Sequence, residues 1–174
     1  MLSKSTLIAA LALNSLINLF CYAHDAPIKK ERFKIVPSVC LILRDNNKVL
    51  LQRRGNTGWY DNCYALVGGG AEKGETFVQA IIREAQEELG ITLNENNLKL
   101  VQIIHFKDKH GNEWFNTIFE ATSWEGEPSV AEPDKCIDLC WFDTEKLPEN
   151  CVEVIPYMFK RIDMGEYFSE FGFD

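Results

Sequence analysis

Clustered basic charge is the first thing this sequence lacks. Its 18 lysines and arginines are outnumbered by 26 aspartates and glutamates, giving a formal net charge of −8 and a pI near 5.0. Lys4, Lys29 and Lys30, but only one acid, Asp25, fall in the first thirty positions, so the remainder is more acidic still. Duplex nucleic acid is bound through stripes of lysine and arginine, and none is visible. An acidic protein acting on phosphate needs cations as intermediaries. Paired C-x2-C motifs are also missing, which argues against structural zinc. The six cysteines, Cys21, Cys40, Cys63, Cys136, Cys140 and Cys151, are scattered through mostly apolar segments. They read as buried small hydrophobes in a reducing compartment, with a metal-site contribution from the C-x3-C pair Cys136 and Cys140 as the alternative. There is no internal repeat or low-complexity tract. With 46% hydrophobic and 25% charged residues, the chain has globular composition, and its 174 residues suit one domain around a single core.

Residues 5–23, STLIAALALNSLINLFCYA, carry no charge and follow Lys4. The run resembles a secretory signal peptide with a cleavage edge at Cys21-Tyr22-Ala23. Asn14 and Asn18 interrupt it, and Lys29, Lys30 and Arg32 after it oppose translocation. Phe20 before Cys21 excludes a lipoprotein site. The expected organisation is a signal peptide or membrane-targeting segment over 1–23, a linker over 24–32 and a folded domain over 33–174. Periplasmic or secreted location is the expectation, with a membrane-anchored or cytoplasmic protein as the alternatives.

Within the domain, residues 33–43 read as a strand whose Pro37 suggests an edge or a bulge. Asp45-Asn46-Asn47 is a turn, and 48–53 the partnering strand. A polar loop over 55–62 carries Trp59 and Tyr60. Residues 64–67 form a short strand running into Gly68-Gly69-Gly70. A helix is expected from Thr76 to Leu89, stopped by Gly90. Residues 97–106 and 113–122 form a hairpin, 136–142 a further strand, and Val152 to Ile162 a last helix. Hairpins interspersed with helices imply an α/β sandwich around a mixed sheet.

The informative stretch is residues 68–91, GGGAEKGETFVQAIIREAQEELGI. On a helical wheel, Val78, Ile82, Ala85 and Leu89 form the stripe expected to be buried. Glu84, Glu87 and Glu88 stand at i, i+3 and i+4 as an acidic edge beside it. Each like-charge pair costs a helix roughly 0.2–0.5 kcal/mol. A solvated acidic face is the plain reading, but such faces usually mix signs and only Arg83 is nearby. Octahedral Mg2+ on two or three carboxylates would remove the repulsion. The glycines allow close backbone approach to a ligand, and Glu75 at the helix start can reach Arg83 two turns along.

Gly69-x5-Glu75-x7-Arg83-Glu84-Ala85-x-Glu87-Glu88-x-Gly90-Ile91 resembles the Nudix box, G-x5-E-x7-R-E-U-x-E-E-x-G-U with U a bulky aliphatic. All the fixed letters match, a coincidence of roughly one in 10^8–10^9 starting points at average residue usage. Ala85 is smaller than the usual aliphatic, and Val67 stands where the family often has proline.

The resemblance covers about residues 33–165 and implies a Nudix-type α/β/α sandwich. It implies a hydrolase of a diphosphate linkage in a small nucleotide-type substrate, with Mg2+ or Mn2+ held by Glu84, Glu87, Glu88 and the Gly69 carbonyl. Arg83 and Glu75 become the supporting ion pair. Glu84 becomes the candidate base or a metal ligand, roles that one carboxylate cannot fully serve together. Trp124-Glu125-Gly126-Glu127-Pro128 is similar to the MutT branch, the nucleoside triphosphate pyrophosphohydrolases. That similarity makes Glu132 a further metal ligand or base and Asn150 a reader of a guanine-type base, with a helix N-cap as the alternative for Asn150. Arg53 and Arg54 are candidates for phosphate or plain surface charge. Trp59, Tyr60 and Phe115 stack on a base or pack in the core; Asp134 and Asp138 face base or solvent. ADP-ribose, a dinucleotide, NADH or capped RNA are the alternative substrates. An isoprenoid diphosphate isomerase or a non-catalytic nucleotide-binding module is the more distant reading. The sequence sets no oligomeric state.

Overall fold

The computed structural model describes residues 32–173. The expected targeting segment over 1–23, and the linker except Arg32, lie outside the described residues. Among the described residues there are eight strands and two α-helices: β1 (Val36–Asp45), β2 (Lys48–Arg54), β3 (Tyr64–Ala65), β4 (Val67–Gly70), α1 (Phe77–Leu89), β5 (Leu98–Lys107), β6 (Glu113–Ala121), β7 (Cys136–Asp143), α2 (Val154–Asp163) and β8 (Phe168–Phe171).

The strands form a mixed sheet with two arms. One arm runs β4-β1-β6-β5-β8, with β1–β6 and β5–β8 parallel and the other pairs antiparallel. The other is antiparallel, β3-β2-β7, joined to the first where Arg44 and Asp45 of β1 pair with Val49 and Lys48. Alternation along β1 sends its side chains to two cores. Val39, Leu41 and Leu43 pack with Ala80, Ile81, Ala85 and Leu89 of α1. Ile42 packs on the opposite side with Val154, Ile155, Met158 and Phe159 of α2. One helix on each face is the α/β/α sandwich.

Several boundaries differ from the sequence reading. Pro37 sits on an interior strand rather than at an edge, because its carbonyl accepts from Ala71 N at 3.0 Å, just beyond the last residue of β4. The missing N–H faces that same end, where no ladder bond is lost. The glycine run is itself a strand, β4. The last helix starts at Val154 rather than Val152, because Cys151 forms a bridge with Tyr64 and Val152 N donates to Tyr64 O at 2.9 Å. β8 had no counterpart in the sequence reading.

Candidate active site

Helix α1 is locally well specified. Thr76 is its N-cap and forms a capping box with Gln79, and Gly90 ends it with φ 70°. The buried face is rotated from the expected stripe. Ala80, Ile81, Ala85, Glu88 and Leu89 are buried, while Val78 and Ile82 are only half-buried. The acidic residues therefore differ in surroundings. Glu87 is exposed, with 51% of its side chain accessible, whereas Glu84 retains 12%. Glu88 is turned under the sheet: its Oε2 accepts from Gly68 N at 2.8 Å and from Gln52 Nε2 at 3.0 Å.

Burial pushes the Glu88 carboxyl up to about 7, against the Gly68 and Gln52 hydrogen bonds, which favour its charged form. Burial also raises the Glu84 carboxyl; Arg83 opposes this, and the charges of Glu87 and Glu132 add to it. Arg83 ties the edge together. Its Nη1 lies 2.7 Å from Glu84 and 3.1 Å from Glu87, and its Nη2 lies 2.9 Å from Glu75 and 3.2 Å from the Gly70 carbonyl.

The loop after β6 is pinned to the C-terminal end of α1, with Ala131 N donating to Glu88 O and Ser129 N to Leu89 O. This brings Glu132 to the acidic edge, where Lys135 Nζ holds both its oxygens at 2.9 and 3.1 Å. Among the described residues no three carboxylate, imidazole or thiolate groups already converge on one point, since Arg83 draws Glu84 and Glu87 to itself. The donor set nonetheless fits a hard divalent cation. It has four carboxylates on one edge, one of them deeply buried. Gly69 lies so close that a Cβ there would overlap the Glu84 carboxylate.

The other predicted residues separate. Arg54 lines a cleft of about 390 Å³ bounded by Gly68, Gly69, Gly70, Trp59 and Trp114. Its guanidinium lies 4.7 Å over the Trp59 ring and its Nε donates to Trp59 O. Arg53 points elsewhere, paired with Asp138 at 2.5 Å. Asn150 donates to the Asn62 carbonyl at 2.8 Å and is not among the residues lining the cleft. Nor does it cap α2, whose N-cap is Glu153. Tyr60 is buried and its hydroxyl bonds Glu153, while Phe115 packs near His105. Asp134 is exposed, and its carbonyl accepts from Asn56. The five described cysteines are free; Cys136 Sγ lies against the Asp138 carbonyl and Cys140 beside Tyr64. The sequence reading missed Gln52, Ser38, Asp108, Trp114 and Asn116. The signal available for Gln52, Ser38 and Asn116 was a polar residue within an otherwise apolar strand.

The NUDIX domain family matches residues 34–161. The chain belongs to the Nudix family. It is a MutT-like Nudix hydrolase, acting on phosphoric anhydrides. It is 32% identical to the 8-oxo-dGTP diphosphatase of Escherichia coli over 66% of this chain and 88% of that protein. It is also 32% identical to the ADP-ribose pyrophosphatase of Methanocaldococcus jannaschii, over 70% of this chain and 71% of that one. Among solved structures, a MutT Nudix hydrolase from Burkholderia pseudomallei superposes with a TM-score of 0.68 at 26% identity, covering 74% of this chain and 98% of that one. Nudix hydrolases generally use divalent metals and act on small nucleotide substrates.

Proposed function

We propose that this Nudix hydrolase converts a nucleoside triphosphate and water into the nucleoside monophosphate and diphosphate. The observation that carries the reading is the position of β4. Its glycines border both the carboxylate edge of α1 and the indole-walled cleft. A base in that cleft would lead its phosphates past Gly68–Gly70 to Glu84 and Glu88. Arg54, at the cleft wall, neutralises phosphate charge along that path.

Mg2+ or Mn2+ would be held by Glu84, Glu87, Glu88 and the Gly69 carbonyl, with Glu132 as a further ligand. When bound it supplies Lewis acidity to the attacked water and to the phosphoryl oxygens. Glu84, oriented by Arg83 and raised by burial, takes the proton from that water. Glu75 holds Arg83 in place. Residues 1–23, an uncharged run after Lys4, address the protein to or across the membrane; fractionation of the full-length protein tests this.

The similarity to an ADP-ribose pyrophosphatase supports ADP-ribose as a second reading. Product analysis of the purified protein with triphosphates and ADP-ribose separates the two. Release of diphosphate from a triphosphate is expected; a higher kcat/KM for ADP-ribose than for every triphosphate would favour the second.

A further inference from the structure

The cleft beside β4 holds two polar side chains that the phosphate chemistry does not use. Ser38 of β1 and Asn116 of β6 are direct partners across a parallel pair. Ser38 also stands opposite Gly70 of β4. The three residues form one row across the sheet, on the face that bears the cleft. Both strands are apolar around them, so the pair is a costly departure from the core pattern.

Ser38 is 5% exposed, and its hydroxyl donates to Asn116 Oδ1. That bond occupies the acceptor of the amide and fixes its plane, leaving the two N–H donors of Nδ2 for a ligand. The aromatic walls are held as well. Trp59 Nε1 donates to Asp108 at 2.8 Å, and the Trp59 and Trp114 rings lie 5.8 Å apart. The two indoles offer enough surface for a two-ring base.

We propose that Asn116, held by Ser38, selects the base, and that it selects a carbonyl oxygen, favouring 6-oxopurine nucleotides over adenine nucleotides. The O6 of guanine or hypoxanthine accepts from the amide. The adenine amino group sets donor against donor in an enclosed cleft, and the mismatch goes uncompensated. Asn116 thereby takes the role that the sequence placed on Asn150, whose amide is engaged by Asn62. Ser38 is a positioning residue. The inference rests on the cleft being the base site of the proposed reaction.

The test is kcat/KM for ITP and ATP, which differ at the C6 substituent, and for GDP-glucose and ADP-glucose, measured on wild type, Asn116→Leu and Ser38→Ala. Wild type is expected to favour the oxo base by about ten- to a hundredfold. Asn116→Leu should bring the ratio to within about twofold of one, and Ser38→Ala should lower it by a smaller factor. A wild-type ratio near or below one overturns the proposal, whatever the variants do. So does a ratio unchanged in Ser38→Ala and Asn116→Leu. Faster cleavage of GDP-glucose than of ITP, with the oxo preference intact, overturns the triphosphate reading and leaves base selection standing. Inactivity on all four compounds overturns both.

Discussion

Arg83 grips both oxygens of Glu75, Nη2 to Oε1 at 2.9 Å and Nε to Oε2 at 3.2 Å, and so closes the loop before α1 onto the middle of that helix. The remaining guanidinium nitrogen reaches Glu84 and Glu87. A lysine has one ammonium and cannot serve a bidentate partner and two further carboxylates in fixed directions. Arg83→Lys should therefore lower kcat/KM by about ten- to a hundredfold, the scale for residues that orient ligands. The pair is partly solvated, so its loss should cost only about 1 kcal/mol, or roughly 2–4 °C in Tm. Parallel kinetic and melting measurements check this; an unchanged kcat/KM would remove Arg83 from the machinery.

The two glycines at the site should respond oppositely to alanine. At Gly69 the new methyl meets the far end of the Glu84 side chain, which can swing away. The fold should survive, with Tm within a few degrees of wild type and activity largely lost. At Gly68 the methyl would run into the Val39 backbone, and φ is 143°, so Gly68→Ala should cost several kcal/mol and yield little folded protein. Equal behaviour of the two variants would contradict the close approach of Gly69 to Glu84.

Asp108 predicts an acid limit to stability. Burial alone would raise its carboxyl, but hydrogen bonds from Asn112, Trp59 and the His110 amide outweigh this and lower it from 3.8 to about 2. A depressed folded-state value stabilises the protein above the unfolded value, and the contribution fades as pH falls from about 4 towards 2. It amounts to about 2 kcal/mol. Urea melts of wild type and Asp108→Asn between pH 6 and pH 2 should converge at the acid end. A constant gap across that range would refute the assignment.

The helix and its chemistry were legible because they are local. Thr76, Gly90 and the glutamate spacing lie within one stretch of chain, and capping and periodicity read directly from it. What the sequence could not show was set by distant partners. Glu88 and Glu87 look alike on a wheel, yet Gln52 and Gly68 pull Glu88 under the sheet and Glu87 stays in water. Arg53 and Arg54 are neighbours whose side chains leave opposite faces of β2, one to Asp138 and one to the cleft. Asn150 was placed by analogy before a helix that starts later, because Cys151 and Val152 pair with Tyr64 first. β8, four residues long, is too short for alternation to register, and it is recognisable only through its parallel pairing with β5.

The central claim is that a divalent cation on Glu84, Glu87 and Glu88 enables hydrolysis of a phosphoric anhydride. Its most direct measurement is the rate of diphosphate release from ITP by the purified full-length protein. The rate is followed before chelation, in excess chelator and after Mg2+ is restored, with Glu87→Gln and Glu88→Gln alongside. The account predicts loss of activity in chelator, recovery with Mg2+, and at least about a hundredfold lower kcat in both variants, with melting temperatures near wild type. Mg2+ should also raise the wild-type Tm, since it binds the folded state, and raise that of the variants less. Undiminished turnover in excess chelator, or in Glu88→Gln, would contradict it.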